Sequence, residues 1–382
     1  MKLKLYFLLF FAVYFALNGY IGWHGALFLS HAAPSIPLPF YWSVFAVITV
    51  SYLVSRTRLM LNPVGRLLKV IGSYYFFVLE YALLFLPVAD LAALVLKGLG
   101  RYSEHVYVLA AGSSILIALA VLFAWGSRNA WSPVVRTYNI EIPKQAGQLK
   151  QLRIVAASDL HLGNIVGNRH LQKLTARIEE MSPDLILLPG DVIDEQIEPF
   201  VRNRMSKELK RLKARYGIYA VLGNHEYYGG HIGEYVKLAA DIGIRVLQDE
   251  SVLIENSFYV VGRKDKTAEA MDPHGRMDYG ALLNGVDKTL PIIAMDHQPR
   301  DYAQAEAAGV DLLLSGHTHR GQFAPNHWVT RKVFELDWGY LKKGNMHAVV
   351  SSGYGTWGPA LRIASRAEIV QIIVRFAPLE GK

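Results

Sequence analysis

Five short polar segments of this 382-residue chain carry side chains that can bind metal ions and move protons. They read Ser158-Asp159-Leu160-His161-Leu162-Gly163, Pro189-Gly190-Asp191-Val192-Ile193-Asp194, Leu222-Gly223-Asn224-His225-Glu226, Met295-Asp296-His297-Gln298-Pro299 and Ser315-Gly316-His317-Thr318-His319-Arg320-Gly321-Gln322. An aspartate and a histidine two residues apart in an extended turn can reach one metal together. The glycine before Asp191 permits a tight exit from a strand and turns the carboxylate toward the same region. The donors are carboxylate, amide and imidazole, with no sulfur, because the chain has no cysteine. Such a set suits Mn, Fe, Zn or Mg, with manganese the first expectation. It is large enough for two ions, and one carboxylate between two ions about 3.5–4 Å apart is the arrangement of a two-metal hydrolase.

Each segment follows a short apolar run of the kind expected for a buried strand, at 152–157, 185–188, 218–222, 291–295 and 312–314. Similar runs occur at 258–261, 347–351 and 369–376. Loops that leave the strands of an α/β sheet are where sites are built. Leu171, Leu174, Ile178 and Met181 mark one face of a helix. A second helix is predicted over 200–215. Its Arg202, Arg204, Lys207, Lys210, Arg211, Lys213 and Arg215 read first as a solvated face, and second as a surface for a membrane or a polyanion. Segment 263–285 reads as a long loop near the site. The mixture predicts an α/β domain over 152–382, preceded over 128–151 by a linker and a first strand.

Residues 1–127 differ in kind and predict a four-helix transmembrane anchor. Apolar stretches lie at 5–29, 38–55, 70–96 and 106–126, each near the length of about 20 residues that crosses a bilayer. The third contains Glu80, Pro87 and Asp90, and Glu80 is expected to face other helices. Lys2 and Lys4 with Ser30-His31-Ala32 resemble a signal peptide, but the apolar run is too long for one, so an uncleaved anchor is expected. Lys2, Lys4, Arg56, Arg58, Arg66, Lys69, Arg128, Arg136 and Lys144 outnumber Lys97 and Arg101 on the opposite loops. The tally predicts a multi-pass protein of the inner or plasma membrane with both termini and the catalytic domain in the cytoplasm.

The ordered series D-x-H, G-D, G-N-H-E, H and G-H-x-H resembles the calcineurin-like metallophosphoesterase family. Within it, the chain is most similar to bacterial membrane-associated members whose last motif reads G-H-T-H-x-G-Q. The resemblance runs from about Arg153 to Arg375. It implies a four-layer α-β-β-α sandwich with the site at one end of two sheets. It implies that Asp159, His161 and His319 hold one metal, that Asn224, His297 and His317 hold the other, and that Asp191 bridges them. It further implies in-line hydrolysis by a hydroxide held between the metals, with His225 donating a proton to the leaving oxygen. Either Glu226 or Asp194 is expected to orient His225. The reaction class is hydrolysis of a phosphodiester, a phosphomonoester or a pyrophosphate.

Five of the 13 histidines lie in the motifs; His24, His31 and His105 fall in or beside the apolar region, and His170, His231, His274, His327 and His347 read as surface or loop residues. Arg320 is a weaker candidate for a phosphate contact, Asp296 for a supporting carboxylate, and Tyr227 and Tyr228 read first as packing residues. A non-catalytic binding or scaffold protein on the same fold usually lacks some ligand positions, and here every one is filled. A transporter or receptor with a regulatory domain would need more polar spans than these. The expected partners are the lipid bilayer and a phosphate ester. A membrane anchor suits a lipid-linked one, and nucleic acid is not expected despite the net charge of +8. Oligomeric state is left open.

Overall fold

The computed structural model describes residues 2–57 and 62–378, with residues 2–4 as backbone only. Arg58 and the side chains of Lys2 and Lys4, all used in the charge tally, lie outside the described residues, as do 379–382 of the expected catalytic domain. Residues Met1–Trp125 and Gly126–Lys382 form two compact units.

The first unit consists of helices α1 (Lys2–Ala32), α2 (Leu38–Ser55), α3 (Pro63–Gly98) and most of α4 (Glu104–Trp131). All four are long and apolar enough to cross a membrane. Several of their polar groups are paired within the unit, as an apolar solvent favours. The Tyr20 hydroxyl donates to Asp90 at 2.5 Å and that of Tyr75 to Asn18 at 2.5 Å. The Tyr14 hydroxyl donates to the Thr49 carbonyl at 2.6 Å. Helix α3 continues through Pro87, and Glu80 is half-buried.

The second unit begins with the end of α4. Residues 128–131 are therefore helical, where a linker was expected. Twelve strands follow: β1 (Val134–Ile142), β2 (Gln151–Ala156), β3 (Leu185–Pro189), β4 (Ile218–Val221), β5 (Ile244–Val246), β6 (Glu250–Ile254), β7 (Phe258–Gly262), β8 (Ile292–Met295), β9 (Leu312–Ser315), β10 (Gly339–Lys343), β11 (Met346–Val350) and β12 (Glu368–Phe376). They build two six-stranded sheets, in the orders β1-β12-β2-β3-β4-β5 and β10-β11-β9-β8-β7-β6. Strands β2 to β5 run parallel, and so do β7, β8, β9 and β11. Between them lie α5 (Asn168–Met181), α6 (Ile197–Arg202), α7 (Met205–Leu209), α8 (Asn224–Gly229), α9 (Ile232–Ala240), α10 (Ala268–Met271), α11 (Tyr279–Leu282), α12 (Tyr302–Ala308) and α13 (His327–Val333).

The layering follows from side-chain alternation along the strands. Ile154, Leu185 and Leu187 of one sheet meet Val260, Ile293 and Leu314 of the other between the sheets. Val155, Ile186 and Leu188 point the opposite way, onto Leu171, Leu174 and Ile178 of α5. On the far face of the second sheet, Ile292, Ala294 and Leu313 pack under Tyr302, Ala305 and Ala308. The result is a four-layer α-β-β-α sandwich. Each fully buried leucine contributes about 1.5–3 kcal/mol to it.

Three further expectations are corrected. The helix predicted over 200–215 is two short helices, broken where Arg204 takes a left-handed φ of 51°. Phe200 and Met205 are both buried but five residues apart, out of phase on one helix, and the break brings both to the core. His170 is buried rather than exposed, stacked on Tyr354 and set edge-on to Trp131. His347 is buried in β11.

Candidate metal centre

The five motif segments leave the carboxyl ends of β2, β3, β4, β8 and β9. The first three strands are neighbours in one sheet and the last two in the other, so the topology gathers residues far apart in sequence. The side chains of Asp159, His161 and His319 form one group whose donor atoms lie within 4.8 Å of one another, and those of Asp191, His297 and His317 form another. Within the first group, His161 Nε2 and His319 Nε2 are 3.0 Å apart, and His319 Nε2 is 3.5 Å from Asp159 Oδ1. Within the second, Asn224 Oδ1 lies 3.2 Å from His297 Nε2 and 2.8 Å from His317 Nδ1. Asp191 Oδ2 stands between the groups, 3.1 Å from His297 Nε2 and 3.9 Å from His161 Nε2. A third grouping, His161, Asp191 and His225, shares the same space.

The atoms fit divalent cations. Burial holds His161 down to about 3, holds His319 well below its usual range, and holds His317 down to about 4. These rings are neutral, so each has a lone pair to offer a cation. Asp159 Oδ2 is buried with no hydrogen-bond donor among the described residues. Burial opposes charge on Asp191, but His297 and His225 outweigh it and keep the carboxyl well below its usual range. The Nδ1 of His297 donates to the Pro189 carbonyl at 2.8 Å, which turns Nε2 inward. An anionic Asp191 near the neutral rings of His161, His317 and His319, with the orphaned Asp159 oxygen beside them, suits a positive charge. Burial opposes charge on His297, yet Asp191 raises its pKa well above the usual range, so that ring answers the same carboxylate.

Backbone strain aims these groups. Asp159, His161, Asp191, His317 and His319 all have left-handed backbone, with φ between 46° and 71°. Such conformations cost about 1–3 kcal/mol each in non-glycine residues and concentrate at functional sites. Gly190 precedes Asp191 at φ +84°, and a Cβ there would lie 2.5 Å from His297 Nδ1. Gly190→Ala is therefore expected to displace His297 and weaken divalent-ion binding by at least tenfold. Isothermal titration with manganese measures this, and wild-type affinity would show that the ring has room to move.

His225 belongs to neither of the first two groups but borders both through His161 and Asp191. Its Nδ1 lies 3.4 Å from Asp194 Oδ1, so Asp194, and not Glu226, is its carboxylate partner. Burial favours the neutral ring, yet Asp191 and Asp194 push it up to about 9. Glu226 turns the other way. Its carboxylate accepts the backbone N–H of Asp191 at 3.1 Å, of Ile193 at 3.0 Å and of Gly223 at 2.7 Å, which ties two of the motif loops together. A cavity of about 360 Å³ opens over the cluster, lined by Asp191, His225, Tyr228, His319, Gln322 and Trp357 among others. Tyr228 thus faces the cavity, whereas Tyr227 is packed.

Arg320 lies over the Trp338 ring at 4.0 Å. Asp296 is fully buried behind His297 and pairs with Arg263 at 3.2 Å and Arg276 at 3.4 Å. Segment 263–285 is therefore pinned by ion pairs and contains α10 and α11, so it is not one long loop.

Two contributors were not read from the sequence. Arg362 is fully buried, donates to the carbonyls of Gly353 at 3.0 Å and Gly355 at 2.6 Å, and sits 3.2 Å from His319 Nδ1. Trp357 exchanges two hydrogen bonds with Gln322, at 2.7 and 3.0 Å. Their only local signal is a cluster of Gly353, Gly355, Gly358 and Pro359, which marks a loop without naming its target.

Comparison with known proteins agrees with this geometry. Residues 152–321 match the model of the calcineurin-like phosphoesterase family. The chain is 34% identical over 278 residues to a zebrafish (Danio rerio) "Transmembrane protein with metallophosphoesterase domain", covering 69% of this chain but only 62% of that protein. It is 31% identical to an "Uncharacterized metallophosphoesterase" of Aquifex aeolicus, covering 63% of this chain and 91% of that protein. It is 30% identical to a metallophosphoesterase of Bacillus subtilis, covering 67% of this chain and 97% of that protein. With a family match over the motif loops, two relatives matched along nearly their whole length and two clustered donor groups where two sheets end, the chain belongs to the calcineurin-like metallophosphoesterase family.

Proposed function

We propose that the chain hydrolyses a phosphoester or pyrophosphate bond at this cluster. Asp159, His161 and His319 would hold one divalent ion, Asn224, His297 and His317 a second, and Asp191 would lie between them. Bound there, two such ions would polarise the phosphoryl oxygens and lower the pKa of water. Manganese is the first candidate, then iron, zinc or magnesium, since the donors are nitrogen and oxygen. Asp191 also accepts the His225 N–H at 2.9 Å, which fixes the start of α8. Asp194 faces His225 Nδ1, so Nε2 is the atom that can pass a proton to a leaving oxygen. The cavity above the cluster is the place for the ester. The observation that carries the reading is the convergence of two groups of nitrogen and oxygen donors around the Asp191 carboxylate, with the His225–Asp194 pair beside them.

The four apolar helices support a multi-pass membrane protein, and the lysine and arginine tally supports a cytoplasmic catalytic unit. A lipid-linked phosphate ester is the substrate class such tethering favours.

The full-length protein, stripped of metal and given manganese, is expected to cleave bis-p-nitrophenyl phosphate or p-nitrophenyl phosphate, and chelation is expected to abolish turnover. His225→Ala should slow an alkyl phosphoester by about 10²–10⁴-fold, the usual worth of a positioned acid. It should slow p-nitrophenyl esters far less, because p-nitrophenolate leaves without a proton. Equal losses on both would remove the proton-donor role, and manganese-independent turnover would remove the metal reading.

A further inference from the structure

Helix α13 buries none of its residues, although three of its seven are large and apolar. Trp328 is 63% exposed, Val329 61% and Val333 54%. At about 100° per residue these three and Lys332 share one face. Thr330 points the opposite way, where its hydroxyl donates to Asp337 Oδ2 at 2.6 Å. Elsewhere in the unit, the exposed large apolar residues among those described are scattered along the chain, except Tyr228 and Trp357, which line the cavity. Isolated apolar residues on a surface need no explanation, but an apolar helix face does.

The helix is fixed at both ends to the metal-centre loop. Gly321 lies against its start, so closely that a Cβ would meet the His327 nitrogen at 2.5 Å. Phe334, immediately after its end, packs edge-on against the His317 ring with centroids 6.0 Å apart. Whatever α13 touches therefore sits beside the cavity mouth.

The charges say what that is. Arg331 and Lys332 are exposed on α13, and among the described residues neither enters an ion pair. Of the acidic neighbours, Glu335 is neutralised by Lys343 at 2.6 Å, and Asp337 is buried behind the helix, accepting from Thr330. A tryptophan with aliphatic residues, flanked by unpaired arginine and lysine, matches the headgroup layer of a bilayer, where indole and long basic side chains are favoured and anionic lipids attract. The same chain carries four helices apolar enough to cross a membrane, so a lipid surface is at hand without a separate partner. We propose that α13 is an interfacial docking element that seats Trp328, Val329 and Val333 in an anionic lipid surface, with Arg331 and Lys332 on the headgroup phosphates. The consequence for substrate, that the cavity mouth opens at headgroup level, rests on the phosphoesterase reading above; the lipid contact itself does not.

The chain has no cysteine, so Val329→Cys, or Val333→Cys as a second site, gives a single labelled thiol in the full-length protein. Lys237→Cys on the exposed face of α9 serves as control. In nanodiscs of phosphatidylcholine and phosphatidylglycerol, nitroxide-bearing lipids are expected to quench a fluorophore at 329 or 333 several-fold more than one at 237. Arg331→Glu with Lys332→Glu should bring the quenching down toward the control. Equal, weak quenching at all sites would overturn the proposal. So would a blue-shifted label that the lipids fail to quench, since a protein would then cover the face. Unchanged quenching in the charge-reversed protein would overturn the headgroup contact. Turnover measured on the same samples separates the two readings. Quenching without hydrolysis removes the phosphoesterase reading alone, and hydrolysis without quenching removes the docking alone.

Discussion

Asp191→Asn is expected to leave the protein folded, strip it of bound divalent ions and slow phosphoester hydrolysis by about 10³-fold. The substitution keeps size and shape. The amide oxygen can still accept the His225 N–H, as Oδ1 does now at 2.9 Å. What disappears is the negative charge at Oδ2, the atom that faces His297 Nε2 at 3.1 Å and His161 Nε2 at 3.9 Å. Among the described residues, no other carboxylate stands between the two donor groups. Losing several kcal/mol of charge stabilisation there corresponds to about three powers of ten in rate. Metal content by mass spectrometry, beside steady-state turnover, tests it. Full activity in a metal-loaded Asp191→Asn protein would rule out a shared carboxylate.

Glu226→Ala should have the largest effect on stability. Three backbone N–H groups, on Asp191, Ile193 and Gly223, donate to this one buried carboxylate. Each buried donor left without a partner costs about 1–3 kcal/mol, and with partial relaxation the total should be about 4 kcal/mol. The loss is also local, because these bonds hold the Asp191 loop to the start of α8. Glu226→Gln should cost less, since a carbonyl oxygen can keep two of the three bonds. The thermal midpoint reads the total, and amide exchange should rise first at residues 189–194 and 223–226. An Ala protein as stable as wild type would mean that water satisfies those donors.

The distinction between Glu226 and Asp194 shows where local reading ends. Glu226 adjoins His225, whereas Asp194 closes an earlier motif, and the sequence favoured neither. The fold decides because His225 and Glu226 begin a helix, α8, whose successive side chains diverge. Glu226 turns inward to the β3 loop, and His225 turns toward the acid at the end of that loop. Helix 200–215 failed for a related reason. Its composition suits a helix, but the spacing of its buried residues fits only a broken one.

The residues capable of chemistry, the buried strands that precede them and the four apolar helices were all legible in the amino-acid sequence. Each depends on a short window: a donor type and its spacing, a continuous apolar run, or a length that matches a bilayer. Tertiary structure alone decided the rest. It set the left-handed backbone that aims Asp159, His161, Asp191, His317 and His319, and it brought Arg362 beside His319 from 43 positions away. It also left the apolar face of α13 uncovered, beside the His317–Gln322 loop that lines the cavity. These features arise where the ends of two sheets meet, and the order of strands in a sheet is fixed by packing and pairing across long stretches of chain, which no local window contains.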